Sequence, residues 1–232
     1  MDEPQTRKRE PAINIAPVVL LLIVFLVAIH AARLFLFAPE QDYYIIAYGA
    51  FIPLAYHGEL GLPEWSLATS PVTYALLHGS WAHVGINSLW LAVFGAPLAA
   101  RIGTSRFLAF FVVTACAAAL LHFAFHFASI QPLIGASGAV SGFTAAAARF
   151  GFSVRRNSNS GFSGDRLTLV ETLTNRTSLS FILIWFAINF LPALSAAGGL
   201  GETNIAWEAH IGGFIAGLLL LPLFDQSPNK IR

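Results

Sequence analysis

Charged side chains are scarce in this sequence. Only 11% of its 232 residues are Asp, Glu, Lys or Arg, whereas 56% are hydrophobic. A soluble domain of this size could not cover its surface with so few charges, so the composition predicts a polytopic membrane protein. The single cysteine, Cys116, excludes an internal disulfide bond. No block of basic residues suggests a nucleic-acid partner.

The sequence contains several long apolar segments. A transmembrane helix needs about 20 mostly apolar residues. On this measure we predict an all-α polytopic membrane protein with six transmembrane helices, at 14–38, 81–100, 106–129, 134–152, 178–197 and 205–224. The fourth span is the weakest because it is rich in Gly and Ala. The first follows a basic stretch, as a signal peptide would, but its apolar run exceeds the usual length of roughly 7–15 residues, so we interpret it as a retained span.

The segments between the spans complete the predicted organisation. A membrane domain at 14–224 is flanked by an N-terminal tail at 1–13 and a C-terminal tail at 225–232. Residues 39–80 form a long outer loop, whose aromatic residues, prolines and four carboxylates suit the membrane interface. Residues 153–176 are polar and are predicted to form a cytoplasmic loop.

The basic residues indicate the orientation of the spans. If both termini are cytoplasmic, all of the 13 Lys and Arg residues except Arg33 fall on cytoplasmic segments. The opposite orientation would place almost all of them outside, against the positive-inside rule. We therefore predict that the N- and C-termini are cytoplasmic and that spans two, four and six begin at the outer face.

This orientation gathers polar side chains from three spans in one shallow layer. At a rise of about 1.5 Å per residue, Ser137 lies roughly 5 Å inside span four and His210 roughly 8 Å inside span six. His83 and Asn87 lie roughly 3 and 9 Å inside span two. Such residues often serve helix packing, but packing alone would not collect them at one depth. Polar side chains are costly in a bilayer, so the layer indicates a functional site.

The chemistry of this layer favours nucleophilic catalysis. A serine hydroxyl needs a base that takes its proton, and His210 lies at the right depth to serve Ser137. Glu208 lies two residues before His210 and points to a different helix face, so we favour a Ser–His dyad over a triad. His83 and Asn87 share a face and, with the backbone N–H of Ser137, would stabilise an oxyanion.

Two further features bear on this prediction. Ser141 lies one turn deeper than Ser137, below His210, and is the less favourable nucleophile. Small-xxx-small pairs let helix backbones approach closely. The pairs Gly138/Gly142 and Gly213/Gly217 therefore predict a contact between spans four and six that brings Ser137 within reach of His210.

A histidine pair in the third span raises the alternative of a metalloprotease. His122 and His126 are spaced i, i+4, but a zinc protease helix carries His-Glu-x-x-His, with the Glu as general base. Here the intervening residues are Phe123-Ala124-Phe125 and include no carboxylate. Two ligands make a weak site, so we predict neither a metal nor another cofactor.

Three ordered motifs resemble those of the rhomboid intramembrane serine proteases. The first is TYALLHGSWAHVGIN at 73–87, the second is GASG at 135–138, and the third is Ala209-His210 followed by Gly213 and Gly217. The resemblance runs from about Trp65 to Leu221. In one departure, Trp65 is followed by Ser66 where the family commonly has a Trp-Arg pair.

The resemblance implies a function and a set of roles. Ser137 would be the nucleophile and His210 the base, His83 and Asn87 would serve the oxyanion, and His78 would support the outer loop. Gly135 and Gly138 would flank the nucleophile. The family cleaves membrane-anchored proteins in or near their spans, without metal or nucleotide, and the six-span form is typical of bacterial members. We therefore expect a serine endopeptidase of the bacterial inner membrane.

Two other functions compete with this expectation. An inactive rhomboid-like protein would bind or route membrane clients, but such relatives usually lack the serine or the histidine. A transporter would show charged residues near the midplane or broken helices in an internal repeat. The sequence shows neither pattern.

Overall fold

Helices dominate the structure of this chain. The structure is a computed structural model that describes residues 15–152, 155–157, 161–163, 165–197 and 206–226. Its elements are α1 (Pro17–Phe35), α2 (Pro39–Gly49), α3 (Glu64–Thr73), α4 (Trp81–Trp90), α5 (Ala96–Ile102), α6 (Thr104–His126), α7 (Ser137–Phe150), β1 (Arg155–Asn157), β2 (Gly161–Ser163), α8 (Leu169–Thr174), α9 (Arg176–Ala197) and α10 (Trp207–Phe224). The two strands pair antiparallel.

Four helical segments within the described ranges are long and apolar enough to cross a membrane, by length and composition. They are Pro17–Phe35, Trp81–Ile102, Thr104–His126 and Trp207–Phe224. These segments coincide with the predicted first, second, third and sixth spans. The predicted fourth and fifth spans hold α7, of 14 residues, and α9, of 22 residues. The count of six spans stays a prediction.

The predicted outer loop contains helical structure. Residues 39–80 include α2, α3 and two short 3₁₀ turns, at Pro53–His57 and Tyr74–Leu76. Arg33 of α1 ties this segment down, because its guanidinium bonds Asp42 at 2.7 Å and the carbonyl oxygen of His78 at 2.8 Å. The interfacial position of the segment stays a prediction.

The predicted cytoplasmic loop at 153–176 also contains regular structure, namely the two strands and α8. Thr168 and Glu171 form a capping box that begins α8, with each side chain bonding the backbone N–H of the other residue. The predicted tail at 1–13 lies outside the described residues, as do residues 227–232 of the C-terminal tail.

Helix α7 lies at the centre of the molecule. Every residue from Gly138 to Phe150 is buried. The ring of Phe143 packs on Phe107 and Phe110 of α6, with ring centroids 4.9 and 5.9 Å apart. At the far end of α7, Arg149 donates to the carbonyl oxygen of Leu218 in α10 at 2.8 Å. The Gly and Ala content that weakened this helix as a lipid-facing span suits a helix enclosed by protein.

Glycines set the distance between α7 and α10. A Cβ atom at Gly213 would overlap the carbonyl oxygen of Gly138, and one at Gly217 would overlap that of Gly142. A Cβ at Gly142 would in turn lie 3.0 Å from the carbonyl oxygen of Gly213. The two backbones therefore touch along both small-residue pairs. The contact predicted between these segments is confirmed.

Candidate active site

Ser137 and His210 meet where α7 and α10 begin. Ser137 is the first residue of α7, and His210 lies in the first turn of α10. The Oγ atom of Ser137 and the Nε2 atom of His210 are 2.8 Å apart, which is hydrogen-bond distance. The predicted proximity of these two side chains is confirmed. An imidazole nitrogen in this position can take the serine proton as the oxygen attacks.

A third polar side chain orients His210. The Oδ1 atom of Asn189 in α9 lies 2.6 Å from Nδ1 of His210. The Nδ2 atom of Asn189 donates to the carbonyl oxygen of Trp185 at 2.8 Å, so the amide oxygen faces the histidine. Nδ1–H therefore donates to Asn189, which leaves the Nε2 lone pair for Ser137.

The predicted dyad lacked Asn189. Sequence reasoning considered a third member only beside His210 in its own helix, whereas Asn189 comes from α9. One signal was available, since Asn189 stands alone as a polar residue in the apolar run FILIWFAINFL. A polar side chain in such a run indicates a functional role by default.

Glu208 takes no part in this chain of hydrogen bonds. Its Oε1 atom lies 2.6 Å from Nδ1 of His122 and 3.1 Å from Nε2 of His126. The prediction that Glu208 points to a different helix face from His210 is therefore confirmed. The interpretation of the histidine pair needs correction, because the carboxylate that their own helix lacks is supplied by α10.

Amide and imidazole groups of α4 lie beside the loop that precedes Ser137. Gly135 has φ +119°, and a Cβ atom there would lie 2.6 Å from Nε2 of His83 and 3.7 Å from Nδ2 of Asn87. Glycine is thus required both by its backbone conformation and by the close approach of α4. Asn87 is buried, and its Nδ2 atom has no hydrogen-bond partner among the described residues. An unpartnered donor beside the loop that precedes the serine is available to a developing negative charge.

A side-chain cap fixes where α4 begins. The hydroxyl oxygen of Ser80 accepts the backbone N–H of His83 at 3.1 Å, as in a standard N-cap. Because α4 begins at Trp81, His83 and Asn87 are one turn apart on the same face.

His78 joins α1 to the nucleophile loop. The His78 side chain is fully buried. The backbone carbonyl oxygen of His78 lies 3.1 Å from Nδ1 of His30 in α1. Its Nε2 atom accepts the backbone N–H of Ala136 at 3.4 Å. Burial, followed by the neighbouring His83, His30 and Arg33, lowers the pKa of His78 to about 3. His78 is therefore neutral near pH 7, as its acceptor role requires.

Two other serines have local partners. The hydroxyl of Ser141 donates to the carbonyl oxygen of Ser137 at 2.7 Å, one turn back in α7.

The hydroxyl of Ser66 donates to the carbonyl oxygen of Tyr48 at 2.8 Å, and Trp65 contacts the Tyr48 ring at a centroid distance of 5.6 Å. Trp65 and Ser66 thus attach α3 to α2.

The apolar helices and the polar layer between them define the class of this chain, an integral membrane protein with a serine hydrogen-bonded to a histidine. A model of the Rhomboid domain matches residues 65–226, more than half of the sequence. This chain therefore belongs to the rhomboid family.

Two relatives illustrate the likeness. The chain is 26% identical to rhomboid protease GlpG of Serratia proteamaculans (strain 568) over 149 residues, which cover 64% of this chain and 45% of that protein. It is also 26% identical to rhomboid protease GlpG of Yersinia pestis (strain Pestoides F) over 161 residues, which cover 69% of this chain and 49% of that protein. The chain spans about half the length of the curated relatives it matches.

Proposed function

We propose that this chain is an intramembrane serine endopeptidase that hydrolyses peptide bonds of membrane-anchored proteins in or near their transmembrane segments. The observation that carries the proposal is the hydrogen bond of 2.8 Å between Ser137 Oγ and His210 Nε2. The rhomboid protease relatives support the same reaction. An inactive client-binding protein would have no need of this serine–histidine contact.

In the proposed acylation step, Oγ of Ser137 bonds to the carbonyl carbon of the scissile peptide while its proton passes to Nε2 of His210. Collapse of the tetrahedral intermediate breaks the C–N bond, and His210 returns the proton to the leaving amine. Water then attacks the acyl-serine with His210 as base, which releases the acid and restores Ser137. Asn189 keeps the Nδ1 proton of His210 in place throughout.

The oxyanion of the intermediate needs donors that are in position before the reaction. The Nδ2 group of Asn87 is one, and the imidazole of His83 is a second. The backbone N–H of Ser137 is a third, because the first N–H groups of a helix have no partner within that helix. The positive end of the α7 dipole adds to their effect.

The proposed orientation has a consequence for the substrate. With both termini in the cytoplasm of a bacterial cell, Ser137 and His210 face the outer side of the inner membrane. The site then lies within about 10 Å of the outer helix ends, since each residue adds about 1.5 Å. Substrates are therefore expected to be cut near their outer membrane boundary, which mass spectrometry of the products measures.

The direct test compares the parent with Ser137→Ala, His210→Ala and the double variant. Each single change should abolish cleavage of a transmembrane substrate and labelling by a fluorophosphonate probe. The double variant should add almost nothing, because residues that act as a unit are not additive. Ser141→Ala is the matched control and should keep most of the activity. Labelling retained by Ser137→Ala, or about a third of the activity retained by His210→Ala, would contradict the proposal.

A further inference from the structure

A second polar cluster lies at the ends of α6 and α10, on the same side of the molecule as Ser137. It consists of His122, His126 and Glu208, whose donor atoms all lie within 4.8 Å of one another. The mechanism proposed above uses none of the three. We propose that this cluster binds one Zn²⁺ ion and that the ion ties α6 to α10 beside the active site.

The ligand types suit zinc. Zinc binds imidazole nitrogens and carboxylate oxygens at about 2.0–2.2 Å, and two histidines with one glutamate form a known zinc ligand set. His122 and His126 are one turn apart on α6 and so face the same way. Each would bind the ion through the ring nitrogen that now faces Glu208 and keep its proton on the other nitrogen.

The distances between the ligand atoms can be compared with those around a bound zinc ion. A tetrahedral zinc ion with bonds of this length holds its ligand atoms roughly 3.3 Å apart. His126 Nε2 lies 3.1 Å from Glu208 Oε1, close to that spacing. His122 Nδ1 lies 2.6 Å from the same oxygen, so this pair would have to separate by roughly 0.7 Å to reach it. The ring nitrogens of the two histidines lie within 4.8 Å of each other and would approach by up to roughly 1.5 Å, so side-chain torsions of more than one ligand would change.

The carboxylate of Glu208 provides the second observation. Its side chain is only 1% exposed, and its Oε2 atom has no hydrogen-bond partner among the described residues. A buried negative charge is costly unless it is paired and fully hydrogen-bonded. Both imidazoles bond the same oxygen and leave Oε2 without a partner, whereas a divalent cation held by the three side chains would compensate the carboxylate charge directly.

The cluster is open to the surface of the protein at His126. The side chain of His126 is 45% exposed, and it lies in the last turn of α6. Glu208 lies in the first turn of α10. Because Glu208 is two residues before His210, a bound ion would hold the helix end that carries the proposed base.

The test uses the purified full chain, free of any histidine tag and stripped of metal. Titration with Zn²⁺ by calorimetry should show one ion per chain, and Co²⁺ should give the visible absorption of a tetrahedral site. Zinc should also raise Tm, because a ligand that binds only the folded state stabilises it. His126→Ala should lower the zinc affinity by at least about tenfold, since loss of even a supporting residue costs 10–100-fold.

Further variants separate a specific site from loose binding. His122→Ala and Glu208→Gln should lose affinity as His126→Ala does. His57→Ala is the matched control. His57 is an exposed histidine that lies outside the cluster and contacts Phe127. This variant should bind zinc as the parent does. The exposed His126 keeps the test usable if a buried variant fails to fold. No zinc binding by the parent, or equal binding by His126→Ala and His57→Ala, would overturn the proposal, and neither result would bear on the protease assignment.

Discussion

His210 is held at both of its ring nitrogens, and each contact has a separate consequence. Asn189 lies 2.6 Å from Nδ1 and Ser137 lies 2.8 Å from Nε2. The first contact fixes the tautomer and the ring orientation, and in the proposed mechanism the second is the path of the serine proton. In that mechanism Asn189 is a positioning residue, as the third member of a catalytic triad is.

Replacing Asn189 with Ala should reduce kcat on the order of 10- to 10²-fold and change KM little, because it releases the ring without touching the substrate. Steady-state kinetics on a transmembrane substrate measure both constants. Ile188→Ala is the control, since this neighbouring side chain is 58% exposed. An unchanged kcat in Asn189→Ala would remove Asn189 from the mechanism.

Replacing Asn87 with Ala should lower kcat by up to about 10²–10³-fold, the cost of losing one oxyanion donor. Its Nδ2 group has no partner among the described residues, so the change should not lower thermal stability. Kinetics and Tm are measured together on the same preparation. A fall in Tm with an unchanged kcat would show that Asn87 serves packing instead.

At the scale of whole helices, the contact between α7 and α10 positions Ser137 and His210. Ser137 and His210 reach each other because the two backbones touch at Gly138/Gly213 and Gly142/Gly217. Small residues allow this approach, and in lipid such close packing is a main source of helix association.

Gly213→Ala should therefore cut activity about 10²-fold or more, since even a 1 Å misplacement of a catalytic group has that effect. The added methyl would overlap the Gly138 carbonyl, so the unfolding free energy should also fall by about 1–3 kcal/mol, as in overpacked cores. Gly85→Ala in α4 is the matched control, because a Cβ there meets nothing within 4 Å. Normal activity in Gly213→Ala would show that this contact does not set the site.

The stability of the whole molecule should depend on the protonation of His78. Its pKa is lowered from 6.5 to about 3 by burial, then by His83 and His30. The unfolded chain therefore binds the proton more readily, and stability falls as pH drops from about 6.5 towards about 3. The slope from this one group reaches at most about 1.4 kcal/mol per pH unit.

Thermal unfolding measured across this pH range tests the assignment. His78→Asn should give a flatter dependence of Tm on pH than the parent, whatever its stability at pH 7. His57→Asn, which replaces an exposed histidine, should keep the parental slope. Parallel curves for His78→Asn and the parent would mean that other groups cause the acid sensitivity.

Local features of the sequence determined a large part of this protein. The apolar runs identified the four helices long enough to span a membrane, because the length of such a run is a property of consecutive residues. The glycine pairs indicated that α7 and α10 would touch. Each pair is spaced i, i+4 within one helix, so it too can be found from consecutive residues. Depth within the predicted spans, the chemistry of a serine and a histidine, and the resemblance of the motifs around them led to Ser137 and His210.

Only the tertiary structure decided which distant side chains meet. Asn189 and His210 are 21 positions apart, and His122 and Glu208 are 86 positions apart. The partner of each side chain depends on how α6, α9 and α10 rotate against α7. The orientations of these helices follow from their packing around the buried helix α7, and no single segment of the sequence specifies that packing. For this reason the sequence yielded a dyad and a lone histidine pair, whereas the fold adds an orienting asparagine to the first and a carboxylate to the second.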